Sequence, residues 1–409
     1  MSKATIRSVL AALTVYAVLV LPSSSALAQK KYDPGATDSE IKIGNIAPYS
    51  GPASAYGVFG KIEEAYFRKV NDEGGVGGRK IKFISYDDSY SPPKAVEQVR
   101  KLVENDEVLL LLSVVGTASN SAVHKYLNSK KVPQLFIATG ATKFADPKSF
   151  PWTMGWVPSY DAEGRVYAKY ILQNHPGGRI GILFQNDDYG KDLLKGVKDG
   201  LGEKGSMIAA EEAYETSEPT IESHIVKLKA SGADILIDIS TPKFGAQAIK
   251  KAAELNWKPI HIVSSPAASV GSVLKPAGLQ NSQGLLTAGY LKDPTDPAWK
   301  DDPAVKEWSN FMDKYYSEGD KTSNLTVQPY LMAKTFVKVL EQAGDDLTRE
   351  SIMRQAANLK NLKFGLLIDG IEINTSTEDF HPLKQLQMMR FTGESWQLFG
   401  PVLSGTSDR

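Results

Sequence analysis

The sequence of 409 residues contains no cysteine. This absence excludes disulfide bonds, zinc–thiolate sites, cysteine nucleophiles and a lipid anchor on an N-terminal cysteine. An excess of basic charge is also absent, because 47 Lys and Arg residues balance 47 Asp and Glu residues. Proteins that bind nucleic acid or an anionic membrane surface carry such an excess or a basic cluster. We therefore expect no nucleic-acid partner.

Sequence motifs of enzymes are absent as well. The five histidines are far apart and form no HExxH pair, and no GxSxG motif occurs. The glycine-rich stretch "GGVGGRK" (74–80) matches neither GxxxxGK[ST] nor GxGxxG, and it precedes a predicted strand instead of following one. We therefore expect a protein that is not an enzyme and that uses no metal and no cofactor.

One apolar run, residues 9–21, follows Lys3 and Arg7 and precedes "PSSSALA". It is shorter than the ~20 residues that a membrane-spanning helix needs. A basic start, a short apolar middle and an A-x-A ending are typical of a secretory signal peptide. We predict a signal peptide at 1–28, cleaved after Ala28, with the rest of the chain exported. A membrane anchor is the alternative.

Strand-like segments alternate with amphipathic helices along the rest of the chain. "IKIGNIA" (41–47) and "IKFISYD" (81–87) are predicted strands, and "VLLLLSV" (108–114) is apolar throughout, as expected of a strand covered on both faces. The pattern restarts near residue 160 and includes "RIGILFQ" (179–185). Such alternation predicts an α/β protein with doubly wound parallel sheets, and two blocks of it predict two lobes.

Five loops that follow predicted strands are rich in Gly, Ser, Thr or aromatic residues. Ligands of open α/β sheets bind beyond the carboxyl ends of the strands, where helix starts offer free amides. Ordinary turns favour the same residues, so each loop alone also fits a purely structural role. The five loops are 48–57, 114–121, 137–144, 185–192 and 240–245.

Several longer stretches resemble the type I periplasmic binding protein family, in particular the branched-chain amino-acid-binding proteins of ABC importers. The resemblance covers residues 40–400, and the stretches that carry it are "IKIGNIAPYSGPASAYG", "VNDEGGVGGRKIKFISYDD", "PPKAVEQVRKLV", "VPQLFIATGAT", "YDAEGRVYAKYIL", "NDDYGKD" and "GLQNSQGLL".

The resemblance implies two Rossmann-like lobes, each a largely parallel sheet flanked by helices, joined by three hinge strands. We expect the first lobe at 29–158 plus 285–383 and the second at 159–284 plus 384–409. Proteins of this family are periplasmic, close around a small ligand and present it to a membrane permease.

The resemblance also implies site residues. Tyr56 corresponds to a tyrosine of the ligand-site wall, and Tyr189 to an aromatic residue that covers the ligand on closure. Two loops correspond to those that hold a ligand carboxylate through hydroxyl and backbone amide groups. Their residues are Gly116 and Thr117 in the first, and Ala138, Thr139 and Gly140 in the second.

One departure from the family pattern concerns the loop at 264–269. Amino-acid binders of the family carry an acidic residue there, which holds the α-ammonium group, whereas this loop reads "SSPAAS". Removing one partner of a buried charge pair costs ~2–5 kcal/mol. Further candidates for the site come from this loop and from other strand ends, although the aromatic ones would also serve as packing residues. They are Tyr49, Ser50, Trp156, Tyr160, Ser240 and Pro266.

These features predict a monomeric periplasmic carrier of an ABC importer that binds a small carboxylate, with an aromatic acid favoured. A branched-chain or other aliphatic amino acid is one alternative, and a ligand sensor for a signalling partner is another. An amino acid would need another anion, for which Asp187, Asp188 and Glu163 are candidates.

Overall fold

The computed structural model describes residues 30–405, so the predicted signal peptide at 1–28 lies outside the described residues. Within the described part, no helix combines the length and apolarity needed to cross a membrane. The strands are β1 (Lys31–Tyr32), β2 (Glu40–Ala47), β3 (Lys80–Asp87), β4 (Leu110–Leu112), β5 (Gln134–Ile137), β6 (Thr153–Gly155), β7 (Ile180–Gln185), β8 (Ile208–Tyr214), β9 (Ile235–Ile239), β10 (Ile260–Val263), β11 (Leu286–Gly289), β12 (Asp346–Leu347), β13 (Gln385–Phe391) and β14 (Trp396–Ser404).

The α-helices are α1 (Val58–Asp72), α2 (Pro92–Glu104), α3 (Thr117–Ser129), α4 (Tyr160–Asn174), α5 (Asp188–Leu201), α6 (Glu222–Ala230), α7 (Pro242–Glu254), α8 (Lys275–Ala277), α9 (Pro303–Tyr315), α10 (Val327–Ala343) and α11 (Arg349–Ala356). Proline at the first helical position begins α2, α7 and α9, as its fixed φ and missing amide hydrogen favour.

The first lobe contains a five-stranded parallel sheet in the order β3-β2-β4-β5-β6. Successive side chains of a strand point to opposite faces. Leu110 and Leu112 therefore pack with α1 and α10 on one face, whereas Leu111 packs with α2 and α3 on the other. The Tyr66 and Tyr330 rings, whose centroids are 5.1 Å apart, join α1 to α10.

The second lobe contains a seven-stranded sheet in the order β14-β13-β11-β10-β9-β7-β8. Strands β7 to β11 pair in parallel, and β13 pairs antiparallel to β11 and β14. The predicted lobe boundary at 285 placed Leu286–Gly289 in the first lobe. Because this strand hydrogen-bonds to β10 and β13, the chain leaves the second sheet only after Gly289.

The chain passes between the lobes three times in the described region: after β6, after β11 and before β13. The parallel strands of each sheet end toward the other lobe, and the loops that follow them form a cleft. In this structure the cleft is closed by direct hydrogen bonds between the lobes. Thr142 donates from its amide and its hydroxyl to Asp192 Oδ2, at 2.8 and 3.0 Å.

Candidate ligand site

A cavity of about 100 Å³ lies between the lobes, and its surface is mostly apolar. Strand-end loops of both lobes line it, together with residues that follow β11 and residues of β13 and β14. The lining includes seven of the residues predicted from the sequence: Tyr56, Gly116, Thr117, Ala138, Tyr160, Tyr189 and Pro266. Among the described lining residues there is no Lys, Arg or His, so hydroxyl and amide groups are the available donors for an anion.

Thr117 supplies such donors on the first-lobe side. It is the first residue of α3, where the amide has no acceptor within the helix. Its hydroxyl oxygen lies 2.7 Å from the hydroxyl of Thr139. Since one hydroxyl of this pair donates to the other, the pair keeps one O–H hydrogen, for which the Tyr160 phenol beside Thr139 and a ligand are the available acceptors. The amide of Gly116 is not available in the same way, because it donates to the Ala138 carbonyl at 3.2 Å.

The conformation at Gly116 requires glycine. Its φ of +88° lies in the left-handed region, which other residues rarely adopt. A Cβ atom there would also overlap the ring of Tyr90, which lines the cavity. The missing side chain lets this ring close the cavity wall directly above the start of α3. Tyr90 was not predicted from the sequence as a site residue.

Tyrosine rings form much of the remaining wall. The rings of Tyr160 and Tyr189 meet edge to face, with centroids 4.8 Å apart. Tyr189 Oη lies 2.7 Å from Ser264 Oγ and donates to the Ser240 carbonyl at 3.0 Å. Burial raises the pKa of Tyr160 to about 12, so its phenol is neutral near pH 7. These rings offer apolar faces and edges to a ligand while their hydroxyls bond to protein groups.

Tyr56 connects the lobes at the cavity. Its hydroxyl, on the first lobe, donates to the Pro266 carbonyl of the second lobe at 2.9 Å. A second connection joins Ser269 and Ser323, whose hydroxyl oxygens are 2.9 Å apart. Ser269 immediately precedes a π-helical turn at Val270–Leu274, and turns of this kind are frequent at functional sites. Closure of the lobes therefore completes the wall of the cavity.

Six predicted residues do not line the cavity in the described structure. Two of them, Thr139 and Ser240, bond to the lining residues Thr117 and Tyr189, and Gly140 packs against Tyr160. The other three contact groups within the first lobe. Tyr49 Oη lies 2.6 Å from Ser85 Oγ, Ser50 Oγ donates to Asp87 Oδ2 at 2.6 Å, and the buried Trp156 indole donates to Thr335 Oγ1 at 3.1 Å.

The three acidic residues that the sequence offered as partners for an ammonium group bond to other protein groups. Glu163 accepts from both the amide and the hydroxyl of Ser265 at 2.7 Å, and burial raises its pKa. Asp187 caps α5 by accepting from the amides of Tyr189 and Gly190, and Asp188 pairs with Lys143 at 2.5 Å. None of the three lines the cavity within the described chain.

Asp293 is the one carboxylate among the described lining residues. It accepts from the amide of Trp396 at 2.8 Å and from the amide and hydroxyl of Thr295 at 2.9 Å, and burial raises its pKa. Further lining residues that the sequence did not indicate are Tyr290, Asn324, Gln328, Met389 and Trp396. They lie outside the loops between a predicted strand and the following helix, which were the basis for predicting site residues. No cluster of three potential metal-ligating side chains occurs in the described region.

Comparisons with known proteins agree with this architecture. The leucine-specific-binding protein of Salmonella typhimurium is 26% identical over 205 residues, which are 49% of this chain and 54% of that protein. The chain therefore aligns with about half the length of this curated relative.

Solved structures match over most of the chain. A branched chain amino acid ABC transporter protein from Thermus thermophilus, with bound valine, has a TM-score of 0.80 at 16% identity and covers 90% of this chain and 97% of its own. A solute binding protein of an ABC transporter from Rhodopseudomonas palustris, in complex with 3,4-dihydroxy benzoic acid, has a TM-score of 0.76 at 17% identity, covering 90% and 98%. At these identities the likeness concerns the fold.

The family model described as periplasmic binding protein matches residues 40–395. This match spans both lobes and every loop that lines the cavity except the segment after residue 395. The chain belongs to the periplasmic binding protein family.

Proposed function

We propose that this protein is the periplasmic binding component of an ABC importer and that it carries a small carboxylate with an aromatic or similarly large apolar body. It captures the ligand between its lobes and delivers it to a membrane permease, with no chemical step. The observation that carries the proposal is a closed, mostly apolar cavity with the Thr117 donors on one side and tyrosine rings around it.

The carboxylate is assigned to Thr117 because hydroxyl and amide donors at a helix start suit an anion. A hydrogen bond to a charged group contributes ~1.5–3 kcal/mol, which is about twice the contribution of one between neutral groups. The ligands named for the two structural neighbours, valine and 3,4-dihydroxy benzoic acid, both carry a carboxylate.

The acidic side chains near the cavity are poorly placed to pair with an α-ammonium group of a ligand. The loop at 264–269 has no acid, and the Glu163 carboxylate behind it is already bonded on both oxygens to Ser265. Asp293 lines the cavity, but it accepts from Thr295 and Trp396 and burial raises its pKa, which disfavours the charged form that would pair with an ammonium group. An ammonium group buried without a charged partner pays a desolvation cost on the order of several kcal/mol.

Calorimetric titration with matched acids tests the proposal. The pairs are 3-phenylpropionate against phenylalanine and 4-methylpentanoate against leucine, which differ by the ammonium group alone. We expect each acid without the ammonium group to bind more tightly than its amino acid. Micromolar binding of leucine or phenylalanine, with no binding of the matched acid, would refute the proposal and indicate an amino-acid carrier.

A further inference from the structure

The residues that line the cavity come from segments on both faces of the first-lobe sheet. Thr117 begins α3, which packs with α2 on the face of Leu111. Asn324 lies three residues before α10, which packs with α1 on the opposite face, the face of Leu110. Both residues line the same cavity. Thr117 and Asn324 therefore approach the cavity from opposite faces of this sheet.

Asn324 lines the cavity, and its side-chain amide forms no hydrogen bond with the described residues. Its Oδ1 atom is buried and has no hydrogen-bond partner among the described residues. This atom is one of several buried polar atoms without a partner in the described region, and a ligand hydroxyl or a water molecule in the cavity is a suitable partner for this amide. The neighbouring lining residues Leu325 and Val270 supply no side-chain hydrogen-bonding group.

The position of Asn324 depends on closure of the lobes. The preceding residue, Ser323, bonds to Ser269 of the second lobe, and Lys275 donates to Thr322 at 2.7 Å. These contacts hold the segment before α10 against the π-helical turn at Val270–Leu274. Closure of the lobes therefore encloses the Asn324 side-chain amide together with the ligand.

We propose that the carried acid is extended and bears a hydroxyl group at the end distant from its carboxylate, and that this hydroxyl bonds to the Asn324 amide. The inference rests on the proposed function, which assigns the carboxylate to Thr117. A hydroxyl suits the amide because it both donates and accepts, so either amide orientation finds a partner. The ligand class is a para-hydroxylated aryl acid or a hydroxy acid of similar length.

Calorimetry with three acids tests the distal hydroxyl. The probes are 3-phenylpropionate, 3-(4-hydroxyphenyl)propionate and 3-(2-hydroxyphenyl)propionate. We expect the 4-hydroxy acid to bind the wild-type protein roughly fivefold to tenfold more tightly than the unsubstituted acid, the size of one additional hydrogen bond. The 2-hydroxy isomer, whose hydroxyl lies near the carboxylate, should show no such gain.

Asn324→Leu keeps the approximate side-chain shape and removes both amide groups. It should abolish the preference, so that the ratio of the affinities for the 4-hydroxy acid and 3-phenylpropionate falls to about one. Asn324→Ala serves as the second variant, and the thermal unfolding midpoint of each variant without ligand reports folding. Asn310→Leu, the same substitution at an exposed residue of α9 that does not line the described cavity, is the matched control and should retain the preference.

The outcomes separate the two proposals. If none of the three acids binds the wild-type protein, the carboxylate assignment fails, and the inference fails with it. If 3-phenylpropionate and the 4-hydroxy acid bind equally, the proposed function stands and the distal hydroxyl is refuted. If the preference persists in both Asn324 variants, the hydroxyl bonds elsewhere, and the assignment to Asn324 is overturned.

Discussion

Tyr56→Phe removes one hydrogen bond between the lobes and leaves the ring in place. In the closed structure, the Tyr56 hydroxyl donates to the Pro266 carbonyl at 2.9 Å, and the ring packs edge to face against Phe59 with centroids 6.1 Å apart. The substitution deletes the hydroxyl alone, so the packing contacts of the ring should persist.

The expected loss of affinity follows from the type of hydrogen bond that is removed. It joins two neutral groups, and a bond of this kind contributes ~0.5–1.5 kcal/mol net. Because it exists only when the lobes are in contact, its loss should weaken the closed form and hence the ligand-bound state. We expect Kd for the tightest acid to rise by roughly twofold to twelvefold, since 1.4 kcal/mol corresponds to a factor of ten.

Tyr49→Phe is the matched control. The Tyr49 hydroxyl lies 2.6 Å from Ser85 Oγ, within the first lobe, and the ring does not line the described cavity. This variant should unfold at a lower temperature yet bind the ligand with unchanged affinity. Titration calorimetry gives both affinities, and thermal unfolding without ligand gives both stabilities. The reasoning is refuted if Tyr56→Phe binds as tightly as the wild-type protein, or if Tyr49→Phe weakens binding equally.

Three further substitutions test the carboxylate donors, the glycine turn and a buried acid. Thr117→Val should weaken carboxylate binding roughly tenfold to hundredfold, as expected for a lost bond to a charged group, and unchanged calorimetric affinity would remove Thr117 from the site. Gly116→Ala should displace the Tyr90 ring and lower both affinity and stability, whereas Gly205→Ala, where a Cβ atom meets nothing within 4 Å, should change neither. Burial raises the pKa of Glu63 well above its ordinary value of 4.5, so its contribution to stability is present below pH 4.5 and is lost as the pH rises through the folded-state pKa. The free energy of unfolding of Glu63→Gln minus that of the wild-type protein, measured by urea denaturation, should therefore be more favourable to the variant at pH 8 than at pH 4. An equal difference at both pH values would contradict this assignment.

The family and the fold class predicted from the sequence are confirmed by the family match and by the two-lobed α/β architecture. Alternation of apolar strands with amphipathic helices carried this prediction, because the pattern specifies which faces are buried. It also placed the strand-end loops at the cleft. Roles in ligand binding for the individual loop residues stay predictions.

Side-chain direction could not be predicted from the loop sequences. Trp156 follows β6 at the carboxyl edge of the sheet, yet its indole is fully buried against Thr335 of α10, a residue 179 positions away in the chain. Asp293 and Asn324 face the cavity from segments whose sequences resemble ordinary loops. Their positions depend on how the chain returns between the lobes, which local sequence does not specify.

The hairpin of β13 and β14 bears on the order in which the protein can fold. Residues 385–404 cover one side of β11 and also supply Met389 and Trp396 to the cavity wall. The pairing of β13 with β11 spans about 100 residues, and such long-range pairing makes folding slow. Until this hairpin docks, β11 is an exposed sheet edge that is open to intermolecular pairing. A ligand that binds the completed cavity, as proposed above, should therefore favour the docked hairpin and suppress aggregation during refolding.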